Sequence, residues 1–314
     1  MPEILAVGSV AYDSVETPFG KVERALGGSA TYFSVSASFF TKVFLVGCVG
    51  KDFEKEHIEM LESKDIDLEG LQVVEGETFF WAGKYGYDLN EAHTLDTQLN
   101  VFADFHPEIP EAYRDAQYVF LGNIDPVLQR EVLSQVRNPK LVACDTMNYW
   151  INDHLDSLRQ TIAQIDVLLI NDAETRQLAN ESNIVRAARR ILDWGPHTLV
   201  IKRGEYGVLM FRRDSQARDQ DNGVSAFAVP GYPLEEIFDP TGAGDSFAGG
   251  FMGYLAGSDR ADTAALRQAI IFGSVMASFN VERFSLERLK ELTFTEVGLR
   301  YKEFRRLTHF EDVD

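Results

Sequence analysis

Only two cysteines occur among the 314 residues, Cys48 and Cys144, and each sits inside an apolar, strand-like run. That placement suits reduced, buried thiols and excludes a disulfide framework. Basic residues are also scarce. Thirty Lys and Arg stand against 49 Asp and Glu, a formal net charge of −19, and with no Lys/Arg cluster to offset it the balance excludes a protein that grips nucleic-acid backbone. No apolar run approaches the length of a membrane span, no basic segment precedes the apolar stretch 4–11, and the six histidines lack metal-ligand spacing. The expectation is a cytoplasmic protein with neither membrane nor nucleic acid as partner. Several nucleotide signatures are missing too. Walker A fails at Gly20-Lys21-Val22 and at Gly50-Lys51-Asp52. The dinucleotide Gly-x-Gly-x-x-Gly fails because Phe247 stands where its third glycine belongs, and the protein-kinase motifs are absent.

What is present is an ordinary globular composition, 45% hydrophobic and 25% charged, long enough for an extended core. Short apolar runs at 4–11, 43–49, 118–121, 141–144, 167–170, 199–202 and 208–211 alternate with helical patterns at 29–40, 53–63, 127–136, 154–163, 173–179 and 185–194, then 243–256, 262–279 and 285–291. Runs that are apolar throughout suit strands buried on both faces, and alternation with helices predicts an α/β fold, a doubly wound, mostly parallel sheet sandwiched by helices. No repeat or linker divides it, so 1–314 reads as a single domain. Residues 76–102 break the pattern. A period of two there places Phe79, Trp81, Tyr85 and Tyr87 on one face of a strand.

The strongest chemical signal is Asp239-Pro240-Thr241-Gly242-Ala243-Gly244-Asp245 at the start of a small-residue helix. Gly242 and Gly244 permit a tight turn whose N–H groups, with those of Ala243 and Asp245, converge on an anion at the positive end of the helix. A carboxylate in a first helical turn also complements the helix dipole, so Asp245 has a structural reading beside the chemical one. The motif resembles the signature of the ribokinase (PfkB) family of carbohydrate and nucleoside kinases. Two further segments carry the same resemblance in family order: Leu26-Gly27-Gly28-Ser29-Ala30-Thr31 resembles the family's Gly-Gly substrate motif, and Asn171-Asp172-Ala173-Glu174 its Asn-x-x-Glu element.

The resemblance implies a ribokinase-like fold with a small inserted β-sheet lid, here from 14–25 and 76–102, and an ATP- and Mg²⁺-dependent kinase. Asp245 would be the general base for the acceptor hydroxyl and the 242–245 loop the anion hole. Asp13, Gly27, Gly28, Ser29, Tyr32 and Asn123 are the expected substrate contacts, Tyr32 standing where many members have asparagine. For the nucleotide, the resemblance implies Asn171, Lys202, Gly204, Gly207, Gly273 and Ser274, with Lys202 in place of a usual threonine. Glu174 and Asn171 would hold hydrated Mg²⁺, although the same pair is spaced as a helix capping box. Asp239 and Thr241 match positions that hold a monovalent cation, K⁺, in some members. Lid-mediated dimers occur in the family, so a homodimer through the lid is a further expectation. The acceptor leans toward a free sugar or polyol. A nucleoside kinase is the alternative, since the aromatic lid face could stack on a base, and a catalytically silent sugar-binding regulator is the reading of another class.

Overall fold

The computed structural model describes residues 2–213, 223–309 and 311. In chain order its strands are β1 (Ile4–Val7), β2 (Ala11–Thr17), β3 (Gly20–Gly27), β4 (Val43–Gly50), β5 (Ile66–Val74), β6 (Phe79–Tyr85), β7 (Ala92–Gln98), β8 (Tyr118–Leu121), β9 (Leu141–Asp145), β10 (Val167–Asn171), β11 (Thr198–Lys202), β12 (Val208–Arg213) and β13 (Val224–Val229). Nine of them form one sheet in the order β13-β12-β11-β10-β9-β8-β1-β4-β5; the other four form a smaller sheet, β3-β2-β6-β7. The large sheet is parallel from β5 to β11 and antiparallel only at the β12 and β13 edge.

The unbroken apolarity of the central strands has a direct cause. Along β1, Ile4 and Ala6 point into one core while Leu5 and Val7 point into another, as the two-residue side-chain period requires when both faces are covered. Helices Ser29–Ala37, Ala243–Ser258, Thr263–Asn280 and Phe294–Leu307 fill the first core, where Phe33 stacks on Phe120 at 3.9 Å. Helices Pro126–Gln135, Leu155–Ile162, Asp172–Ala179 and Ile184–Leu192 fill the second. Helix Ala243–Ser258 is pressed between Ser29–Ala37 and Thr263–Asn280. A Cβ at Gly249 would fall 2.3 Å from the Phe33 carbonyl, and one at Gly250 2.8 Å from that of Phe272.

The expected strand 4–11 is in fact two elements. It breaks after Val7 because Ser9 is spent on the next helix: its carbonyl accepts from Ala30 N at 3.0 Å and its N–H donates to Ser29 Oγ at 3.2 Å. The chain then leaves the large sheet and enters the small one as β2. The expected helix 154–163 is preceded by a separate short one, Asn148–Asp153. Strands β5 and β13 and the helix Phe294–Leu307 lie outside the expected elements. That last helix carries a legible start, a capping box between Thr293 and Glu296, and Arg300 ties it to Glu282 at 2.7 Å. Among the described residues no helix is long and apolar enough to cross a membrane.

Candidate active site

Three neighbouring parallel strands, β9, β10 and β11, end side by side, and their C-terminal residues are Asp145, Asn171 and Lys202. Open α/β sheets bind ligands at this edge because helix N-termini and strand ends converge there. Here the opposing helix is Ala243–Ser258, entered through Gly242 at φ 72°. A Cβ at Gly242 would also fall 2.4 Å from the Tyr32 ring. Both the left-handed backbone and the overlying ring therefore demand glycine.

Among the described residues, Lys202 is the cation at the middle of this centre, with three carboxylates acting on it. Its Nζ donates to Asp145 Oδ2 at 2.6 Å, with side-chain exposures of 17% and 7%, and lies 3.1 Å from where a Cβ of Gly244 would be. Burial pulls its pKa down, but Asp145, Glu174 and Asp245 together push it higher still, so the lysine stays charged. Asp245, in the first helical turn, is pushed up to about 7 by burial and by Asp145, with Lys202 opposing. Glu174 is pushed up to about 7 by burial and again by Asp145. The centre holds more negative than positive charge.

The residues expected to contact the acceptor gather where β2 and β3 meet the N-terminus of helix Ser29–Ala37. Asp13 is 5% exposed and pushed up to about 7 by burial, then by the charges of Asp239 and Asp245, with the Gly28 N–H opposing. Its carboxylate rests directly on Gly27, where a Cβ would fall 1.9 Å from Oδ2. Tyr32 is buried, and its hydroxyl, with Ser285 beside it, makes no hydrogen bond of ordinary geometry among the described residues. From the small sheet, Tyr85 reaches the anion loop, its hydroxyl meeting Thr241 Oγ1 at 3.3 Å.

The remaining expected residues divide. Ser29 is spent on Ser9, both as acceptor from its N–H and as partner to its hydroxyl. The Ala243 N–H, expected among the anion donors, is turned back onto the Pro240 carbonyl at 3.1 Å, because the tight turn closes on itself there. Asp239 accepts from the backbone of Thr241 and of Ser285, each at 2.9 Å, and the Thr241 carbonyl accepts from Asn280 at 2.7 Å. These bonds brace the loop and hold Asp239 and Thr241 buried. Asn171 and Glu174 form the reciprocal capping box, at 2.7 and 2.8 Å. Asn123 has its amide engaged by Trp150 and Met147, and Gly273 is pressed against the Phe247 carbonyl in a helix contact. Lys202, Gly204, Gly207 and Ser274 do come together, on the wall of a cavity of about 670 Å³ beside Gly244.

The aromatic face expected on β6 also divides. Tyr85 is buried, Trp81 folds over Gly83 and donates to Thr94 Oγ1 at 3.3 Å, and Tyr87 lies beyond the strand end, 89% exposed. Sequence reasoning missed Asp145, although an acidic residue closing an otherwise apolar strand was a usable signal.

Among the described residues no three His, Cys, Asp or Glu side chains converge as direct metal ligands. The surplus of carboxylates around Lys202 nevertheless fits a divalent ion that keeps its own water shell, as Mg²⁺ does.

The family model for pfkB family carbohydrate kinases matches residues 1–291. The chain is similar to a cytidine kinase of Thermococcus kodakarensis, 31% identical over 82% of this chain and 90% of that protein. It is also similar to a nucleoside kinase of Methanothermobacter thermautotrophicus, 26% identical over 89% of each. A putative ribokinase II from E. coli, described in complex with ATP and Mg²⁺, shares the fold with a TM-score of 0.77 at 16% identity, over 96% of this chain and all of that one.

Proposed function

This chain belongs to the pfkB family of carbohydrate kinases, and from that premise we propose that it transfers the γ-phosphoryl group of ATP to a sugar hydroxyl of a nucleoside. The observation that carries the reading is the placement of Asp245. This carboxylate, buried enough to be raised to about 7, sits in a helix's first turn beside an anion loop and a charged lysine.

In this reading Asp245 takes the acceptor hydroxyl's proton as the oxygen–phosphorus bond forms, since an alcohol is too weak a nucleophile at neutral pH. The N–H groups of Gly242, Gly244 and Asp245 meet the charge on the transferring phosphoryl. Lys202, drawn off Asp145 by the phosphates, adds a positive charge on the nucleotide side. Asp13 accepts sugar hydroxyls, with Gly27 and Gly28 letting the ligand approach the backbone, and the unpartnered Tyr32 hydroxyl supplies one more polar contact. Of the two acceptors left open by the sequence, the nucleoside is preferred over a free sugar or polyol. What supports it is the likeness to a cytidine kinase and a nucleoside kinase over about nine-tenths of their lengths. Matched assays test the choice. With cytidine and ribose as alternative acceptors, kcat/KM should favour the nucleoside by more than about 100-fold, the discrimination expected where a site recognises a polar base. Equal or better use of ribose overturns the nucleoside assignment.

Asp145, Glu174 and Asn171 would hold hydrated Mg²⁺, which would neutralise phosphate charge when bound. Glu174→Gln separates this role from capping. Glutamine keeps an oxygen to accept the Asn171 N–H, so the melting temperature should hold while the Mg²⁺ activation curve moves to higher concentration by about tenfold, a typical cost of losing one carboxylate near a metal. An unmoved Mg²⁺ curve at an unchanged melting temperature would return the pair to a purely structural role.

A further inference from the structure

The hairpin of β6 and β7 touches both halves of the active site. Its first strand ends in Tyr85, whose hydroxyl meets Thr241 at the anion loop. Five residues later its tip reaches the loop at Gly204. Asn90 Oδ1 lies 2.2 Å from where a Cβ of Gly204 would be, and Gly204 itself has φ 54°. Any side chain at 204 would be strained and would displace Asn90. The Asn90 amide is held in place by donating to the Asp88 carbonyl at 2.8 Å.

Tyr87, Asp88, Leu89 and Asn90 thus line the 670 Å³ cavity together with Lys202, Gly204, Gly207, Gly244 and Ser274. Tyr87 is 89% exposed there. A ring left in solvent at the mouth of such a cavity has a free apolar face to offer a ligand. Asp88, Arg203 and Glu205 line the cavity with opposite charges, while Lys202 and the N-terminus of helix Ala243–Ser258 line it beside Gly244 and attract phosphate there. With its phosphates held at that wall, a nucleotide leaves its uncharged part to meet the hairpin tip.

We propose that Tyr87 and Asn90 are donor-nucleotide contacts supplied by the small sheet, Asn90 through its amide to the ribose and Tyr87 through its ring. One hairpin then reads both substrates, Tyr85 at the acceptor side and Tyr87 and Asn90 at the donor side. The inference rests on the kinase reading above, because it takes the cavity as the donor site.

The test is calorimetric titration of a nonhydrolysable ATP analogue with Mg²⁺ into wild type, Asn90→Ala, Tyr87→Ala and Tyr87→Phe, with cytidine titrated separately. Both alanine variants should bind the analogue about tenfold more weakly, the scale of one lost stacking or hydrogen-bonded contact. Their cytidine affinity and melting temperature should stay at wild-type values, and Tyr87→Phe, which keeps the ring, should bind as wild type does. Analogue binding within twofold of wild type in both alanine variants overturns the inference alone. Wild type that fails to bind the analogue overturns the kinase reading and the inference with it.

Discussion

Asp245→Asn should lower kcat by roughly 10²–10⁴-fold, the range for losing a positioned general base, while the affinities for nucleotide and acceptor stay within a few-fold. Asparagine keeps the shape and the polar surface of aspartate but cannot take a proton. The pH profile gives an independent reading of the same residue. Burial and the neighbouring Asp145 raise Asp245 to about 7 from an ordinary 3.8, so the ionised, base-competent form accumulates only as pH climbs through 7. In wild type kcat at saturating substrates and Mg²⁺ should therefore rise with pH to a plateau above about 7, and the asparagine variant should lose that limb, whereas the limb of kcat/KM also carries Asp13 and Glu174, which burial raises to about 7 as well. Stability runs the other way. A carboxyl whose pKa is raised on folding favours the fold when neutral, and this contribution is lost as pH rises from about 4 through about 7. Above pH 7 the asparagine variant should thus melt no lower than wild type. Near-normal turnover by Asp245→Asn would remove it from the chemistry.

Gly27→Ala should raise the acceptor KM at least about 100-fold, equivalent to about 2.7 kcal/mol of lost recognition. The added methyl would lie 1.9 Å from Asp13 Oδ2 and 2.2 Å from its Cγ, and neither residue has freedom to yield. β2 and β3 are paired there, Ala11 with Gly27 and Asp13 with Ala25, and Asp13 is almost fully buried. The carboxylate must leave its position, which in the proposed reading is the one that accepts sugar hydroxyls. Binding of a nonhydrolysable ATP analogue should change little, since the cavity proposed for the nucleotide does not include Gly27. Asp13→Asn covers the case in which the alanine variant fails to fold: it introduces no clash, weakens only the acceptor contact, and should show the same KM rise. An unchanged acceptor KM in a folded Asp13→Asn enzyme would take Asp13 out of the substrate site.

The Gly-Gly pair and the 239–245 loop stood out in the sequence because each is a local device. A left-handed glycine before a helix, or a glycine that admits a carboxylate, leaves its mark within a few residues. The capping box at Asn171 and Glu174 was equally local, and so was the one at Thr293 and Glu296, which starts the helix that the apolar spacing alone did not reveal. The expected extra length of strand 4–11 failed for the opposite reason. Apolarity marks burial but does not say which backbone partner a residue will find, and Ser9 found Ser29 and Ala30 rather than a neighbouring strand.

By itself the sequence determined the layered α/β architecture and the glycine turn that sets Asp245 in a helix's first turn, since side-chain period, glycine conformation and helix-start chemistry act over one or two turns of chain. Only the tertiary structure decided the partners. Lys202 meets Asp145 across 57 residues and Tyr85 meets Thr241 across 156; Tyr32 covers Gly242, and Asn90 settles against Gly204. Such pairings depend on strand order and on where the hairpin comes to rest. Composition and spacing along the chain carry no record of either, because distance in space is set by the packing of the whole sheet.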